Sequence, residues 1–145
     1  MDFLSEFAER LSELMLLKGI KTHRLAEEIG VSDSMVSYWL RAEKQISLPN
    51  FIKLADFLEC TMDFLAGRSD EELKFVPQSP PAFPIALRRA LQLRGMTRYS
   101  LDRDTKFKDN YIFRWDHGAV PNLVSLIELA DILDVSIDYL VGREN

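Results

Sequence analysis

Ser32, Asp33, Ser34, Ser37 and Tyr38 crowd into one stretch, IGVSDSMVSYWLRAEK. Hydroxyls and a carboxylate at that density can donate and accept hydrogen bonds along one edge of a short element. That chemistry is recognition; bond-making needs an activated nucleophile or a placed general base. The chain has no Gly-rich phosphate loop, no Ser-His-Asp pattern and no paired carboxylates beside a cleft signal, so it reads as a non-enzyme with no cofactor. His23 and His117 stand without a Cys or second His at ligand spacing, which argues against a metal. Cys60 is the single cysteine and lies in an apolar pattern, so a buried structural thiol is expected.

The bulk properties set the frame for that recognition surface. The 145 residues suffice for one ordinary domain or two small ones. Apolar residues make up 47% and charged residues 28%, as in a soluble globular protein. No apolar run nears the roughly 20 residues of a membrane helix. The opening MDFLSEFAER lacks the basic and apolar regions of a signal peptide. A cytoplasmic protein with no membrane partner is expected. The net charge of −5 argues mildly against nucleic acid, whose binders mostly carry a basic excess.

Helices must position the polar edge. Phe3, Phe7, Leu11, Leu14 and Met15 recur at helical spacing, which predicts a first helix ending at Gly19. A second, THRLAEEI, buries Leu25, Ala26 and Ile29 and ends at Gly30. Ser32 then caps a third, DSMVSYWLRA, with Val36 and Trp39 facing inward. A fourth runs from Leu48 to Leu58 with Phe51, Ile52, Leu54, Ala55 and Leu58 buried, and a short fifth covers Asp63 to Ala66. Two short helices joined by IGVS form a helix-turn-helix arrangement. A helix of about 12 Å diameter fits the DNA major groove, and residues near its N-terminus reach base edges.

The chain writes this plan twice. LADFLECTMDFLAGR (Leu54 to Arg68) returns as LADILDVSIDYLVGR (Leu129 to Arg143), identical at eight of fifteen positions. At an offset of 76, Leu11, Gly19, Leu25 and Trp39 fall on Leu87, Gly95, Leu101 and Trp115; after the tryptophan the offset is 75. The units are too long for solenoid repeats and suit compact helical domains. The expected division is a first domain at 1–69, a linker at 70–83 and a second domain at 84–145. The region SDEELKFVPQSPPAFP holds four of the six prolines, so a stiff connector is expected. Its Phe75, Val76 and Phe83 could dock on a domain, and Pro84 suits the first turn of the next helix.

KGIKTHRLAEEIGVSDSMVSYWLRAEKQISLPNFIKLADFLECTMDFLAGR resembles the phage-repressor and Cro-like (XRE) helix-turn-helix domains, a likeness covering nearly all of residues 5–68. RWDHGAVPNLVSLIELADILDVSIDYLVGR is similar to the back half of a second copy. The resemblance implies an all-α protein of two tandem lambda-repressor-like five-helix domains, with the third helix as recognition helix. It places Asp33, Ser34 and Tyr38 at outward recognition positions, with Met35 and Ser37 beside them. Lys21 and Thr22 open helix 2, where the family grips a phosphate. Arg41 and Lys44 follow the recognition helix, where basic residues meet the backbone. Asp33 departs from the family's usual Gln: it can accept from cytosine N4 or serve as an N-terminal charge on the helix. The implied partners are double-stranded DNA and a second copy of the chain, since family members bind as dimers.

The second copy is less regular. Lys106 replaces the turn glycine, Asp102 stands where the first copy has Ala26, and Thr105 replaces Ile29. Ile112 and Trp115 keep the inward face, while Tyr111 and Phe113 are left outward. Exposed rings more often mark protein interfaces. Yet Arg88 to Arg114 holds eight basic and three acidic residues, against four of each in Ser12 to Arg41. That front favours phosphate contact, with Arg98, Lys108, Asn110, Tyr111 and Arg114 as candidates. A DNA-contacting role and a pairing or ligand-sensing role both stand open for it. The leading reading is a sequence-specific transcriptional regulator, a repressor by preference. The alternative is a protein-interaction regulator, antirepressor or antitoxin-like, with a regulatory protein as partner and the second domain serving dimerisation.

Overall fold

The computed structural model describes residues 2–70 and 83–143. Among them the protein is all-helical, with ten helices and no strand. The chain divides into two compact units, Met1–Val76 and Pro77–Asn145. The dividing point lies within the expected 70–83 linker, of which 71–82, with Phe75 and Val76, fall outside the described residues. Phe83 is not linker: it is the first residue of a helix and is buried.

In the first unit α1 spans Phe3–Lys18, α2 Thr22–Ile29, α3 Asp33–Leu40, α4 Leu48–Phe57 and α5 Met62–Leu65. Each begins where a backbone N–H can be satisfied or left for another partner. The Asp2 carboxylate accepts from the Ser5 N–H, and that bond holds its pKa below the ordinary carboxylate range. Ser32 Oγ accepts from the Met35 N–H at 3.1 Å, Ser47 Oγ from Asn50, and Thr61 Oγ1 from Phe64. These caps replace bonds the first helical turn cannot make. Helix α3 stops two residues earlier than periodicity suggests, because Ala42 turns left-handed at φ 57°.

An aromatic cluster holds the unit together. The Phe7 ring lies 5.9 Å from Phe3, 5.5 Å from Phe51 and 6.5 Å from Trp39. Trp39 and Val36 are buried, so α3 is pinned to α1 and α2 by its inner edge. Leu25, Ala26, Ile29, Leu54, Leu58 and Cys60 complete the core; Ile52, expected inside, is only half-buried.

The second unit has α6 at Phe83–Leu93, α7 at Arg98–Asp104, α8 at Asp109–Asp116, α9 at Leu123–Leu133 and α10 at Ile137–Leu140. Pro84 falls in the first turn of α6, as its missing N–H allows. The residues that looked irregular in sequence have structural duties. Thr105 Oγ1 donates to the Leu101 carbonyl at 2.6 Å and accepts from the Phe107 N–H at 3.0 Å. It thus shapes the turn that the first unit makes with left-handed Gly30. Asp102 accepts from the Asp109 N–H at 2.5 Å, capping α8, whose own N-cap position is a lysine without a capping side chain. Phe107 is buried beside Trp115, ring centroids 5.8 Å apart. Thr105→Val keeps the shape but deletes both bonds and should cost about 1–3 kcal/mol. Thermal unfolding checks this, with Thr105→Ser expected to match wild type; an unaltered midpoint in Thr105→Val would refute the turn's role.

The twice-written ending is explained by one buried device. Arg68 pairs with Asp63, and Arg143 with Asp138, each across a five-residue loop closed by a backbone bond from the arginine N–H to the aspartate carbonyl. Asp63 and Asp138 are both buried. Gly67 closes the first loop at φ +80°, where a Cβ would lie 2.8 Å from Glu6 Cβ. Only glycine meets both demands.

Candidate nucleic-acid interface

Helix α3 presents its outer edge because its inner edge is spent on Val36 and Trp39. Asp33 and Ser34 are exposed, and Met35, Ser37 and Tyr38 are half-buried along the same helix. At the start of α2, Lys21 is the N-cap and provides no side-chain cap, so the N–H groups of that turn stay available to an anion, with Thr22 beside them. The caps thus divide the labour: serine closes the start of α3, and nothing of the kind closes α2.

Asp33 has an intramolecular partner. His23 Nδ1 lies 3.2 Å from both of its carboxylate oxygens, and His23 Nε2 lies 3.7 Å from Glu27. His23, solitary in sequence, is therefore set between two carboxylates. The Asp33 oxygens face α2, and their first neighbour is an imidazole.

At the far end of α3 a second group assembles. Lys44 Nζ sits 4.3 Å from the Tyr38 ring centroid and Arg41 Cζ 5.4 Å from it. Arg41 also grips Glu43 with two bonds, Nε to Oε1 at 2.9 Å and Nη2 to Oε2 at 3.3 Å. Those bonds raise the pKa of the guanidinium above its ordinary range. Sequence reading named Tyr38, Arg41 and Lys44 separately and missed Glu43. Glu43 lies two residues beyond Arg41, close enough along the chain for the two side chains to meet.

In the second unit the candidates are brought to one region, but their charge is compensated. Arg98 reaches Asp109 at 3.4 Å and Asp116 at 3.0 Å. Arg103 holds Asp104 in a two-bond pair that lowers the Asp104 pKa, and Lys106 pairs with Glu128. Lys108 Nζ donates to the Asp102 carbonyl at 2.7 Å. Arg114 lies over the Tyr111 ring at 4.9 Å, and Asn110 is exposed beside them. The basic excess counted along the sequence is thus drawn down by carboxylates, one of them, Glu128, distant in the chain. Tyr111 and Phe113 are 43% and 56% exposed, so the outward edge of α8 is aromatic where that of α3 is polar. Phe113 stacks on His117 at 4.1 Å.

Residues 11–65 match the helix-turn-helix family model. The matched stretch lies within the first unit and spans α2, α3 and α4. Among solved structures the chain is similar to a transcriptional regulator from Listeria innocua, at 26% identity over 67% of this chain and 83% of that chain, with a TM-score of 0.42. No curated protein matches the chain. Among the described residues no helix is long and apolar enough to cross a membrane.

Proposed function

We propose that the protein is a sequence-specific DNA-binding repressor that acts in the cytoplasm by laying α3 in a major groove. The observation that carries this reading is the outward polar edge of α3, held in place by buried Val36 and Trp39 within the stretch matched by the helix-turn-helix model. Ser34 reads a base edge, Lys21 and Thr22 present the start of α2 to a phosphate, and Lys44 meets the backbone beyond the helix. One such domain makes few base contacts, so a homodimer spanning two half-sites about 34–36 Å apart completes the reading.

Selection of binding sites from random DNA tests it. A single half-site motif repeated with two-fold symmetry is expected, and recovery of no enriched sequence counts against sequence-specific recognition. Ser34→Ala should weaken the selected duplex about fivefold, the worth of one hydrogen bond of about 1 kcal/mol, and leave a scrambled duplex unchanged. Equal losses on both would remove Ser34 from base readout.

A second reading, regulation by protein contact, is favoured by one feature: the aromatic edge of α8 with Tyr111 and Phe113 exposed. In that reading the second unit joins two copies or receives a regulatory protein while the first unit holds DNA. The length of the selected site distinguishes them, since two DNA-contacting units per chain lengthen each half-site.

A further inference from the structure

The Tyr38 ring has cations on it before any DNA arrives. Lys44 Nζ at 4.3 Å and Arg41 Cζ at 5.4 Å both fall within the roughly 6 Å over which a ring attracts a cation. Tyr38 is half-buried, so the packing of α3 fixes the ring, and the ring in turn restricts a long lysine side chain whose freedom would otherwise be lost on binding. Among the described residues Lys44 is in no ion pair, whereas Arg41 is held by two bonds to Glu43. A ring face covered by an ammonium is a poor surface for a thymine methyl, which sets Tyr38 apart from outward Ser34.

We infer that Tyr38 is a positioning residue that holds Lys44 and Arg41 as a phosphate-binding pair at the end of α3, and that Glu43 competes with DNA phosphate for Arg41. The inference rests on the DNA reading above and assigns to Tyr38 a part in that site other than reading bases. A phosphate oxygen approaching the pair finds Lys44 in place. It must displace the Glu43 carboxylate to gain Arg41, exchanging one charge-assisted pair for another.

The test measures affinity of the full chain for its selected duplex and for a scrambled duplex of equal length over a series of salt concentrations. Tyr38→Leu should reduce the slope of log K against log salt by about 0.9 to 1.8, one or two phosphates, with the same loss on both duplexes. Tyr38→Phe should keep the wild-type slope, because the ring and not the hydroxyl holds the cations. Lys44→Gln, which leaves α3 intact, should reduce the slope by about 0.9, and Glu43→Gln should tighten both duplexes. An unchanged slope in Lys44→Gln, or a Tyr38→Leu loss confined to the selected duplex, overturns the inference while the wild type still binds DNA. A wild-type chain without salt-dependent affinity for either duplex overturns the DNA reading, and this inference with it.

Discussion

Arg143→Ala should unfold the second unit well below the wild-type midpoint. The Asp138 side chain is 0% exposed and that of Arg143 only 5%, so the variant strips a carboxylate of its cation where water cannot replace it. Breaking such a buried pair costs about 3–5 kcal/mol. For a unit of this size that lowers the midpoint by more than about 12 °C. Arg68→Ala removes the twin pair, but there the side chains are 21% and 12% exposed, and partial hydration should hold the loss to about 1–3 kcal/mol. Hydrogen exchange resolves the two: Arg143→Ala should lose protection within 83–143 and keep it within 2–70. Replacing both partners, Asp138→Leu with Arg143→Met, should recover much of the loss, because burial of the charges and not the shape sets the penalty. Equal destabilisation by Arg68→Ala and Arg143→Ala would contradict the burial argument.

The second large effect is on DNA. With about three phosphates neutralised by the first unit, at the start of α2 and at Lys44 and Arg41, the slope of log K against log salt is about −2.7, and a fourfold rise in salt weakens binding about 40-fold. Fluorescence anisotropy on a labelled duplex reads this directly. Both readings of the second unit leave DNA on the first, so an affinity that does not fall with salt would overturn DNA binding itself. Arg98→Ala and Lys108→Ala should leave the slope as it is. Arg98 is already met by Asp109 and Asp116, and Lys108 by the Asp102 carbonyl. A slope flattened by either variant would show that DNA displaces those partners and that the second unit touches the duplex.

The contrast between the two recognition edges shows where linear reading stops. Counting charges from Arg88 to Arg114 suggested a basic face, but the count weighs each residue alone. Lys106, in the turn between α7 and α8, meets Glu128 on α9, and a pair formed across the fold has no signature in local composition. Lys106, Asp102 and Thr105 likewise read as lapses from the first copy's pattern. In the folded unit Asp102 and Thr105 provide the cap and the turn that a serine and a glycine provide in the first.

Helix periods, caps and stops were legible in the sequence because they depend on neighbours three or four residues away. The stripe Phe7, Leu11, Leu14, Met15, the cap Ser32 and the inward pair Val36 and Trp39 follow from that short reach. The Asp–Arg pairs were half legible: the repeat kept both residues at their spacing, yet only the packing of α5 and α10 shows the aspartates buried. Tertiary structure alone decided which polar side chains face solvent unengaged and which are already held, as Asp33 is by His23 and Lys106 by Glu128. The physical reason is that side-chain hydrogen bonds and ion pairs act over a few ångströms in space, and separation along the chain does not measure that distance.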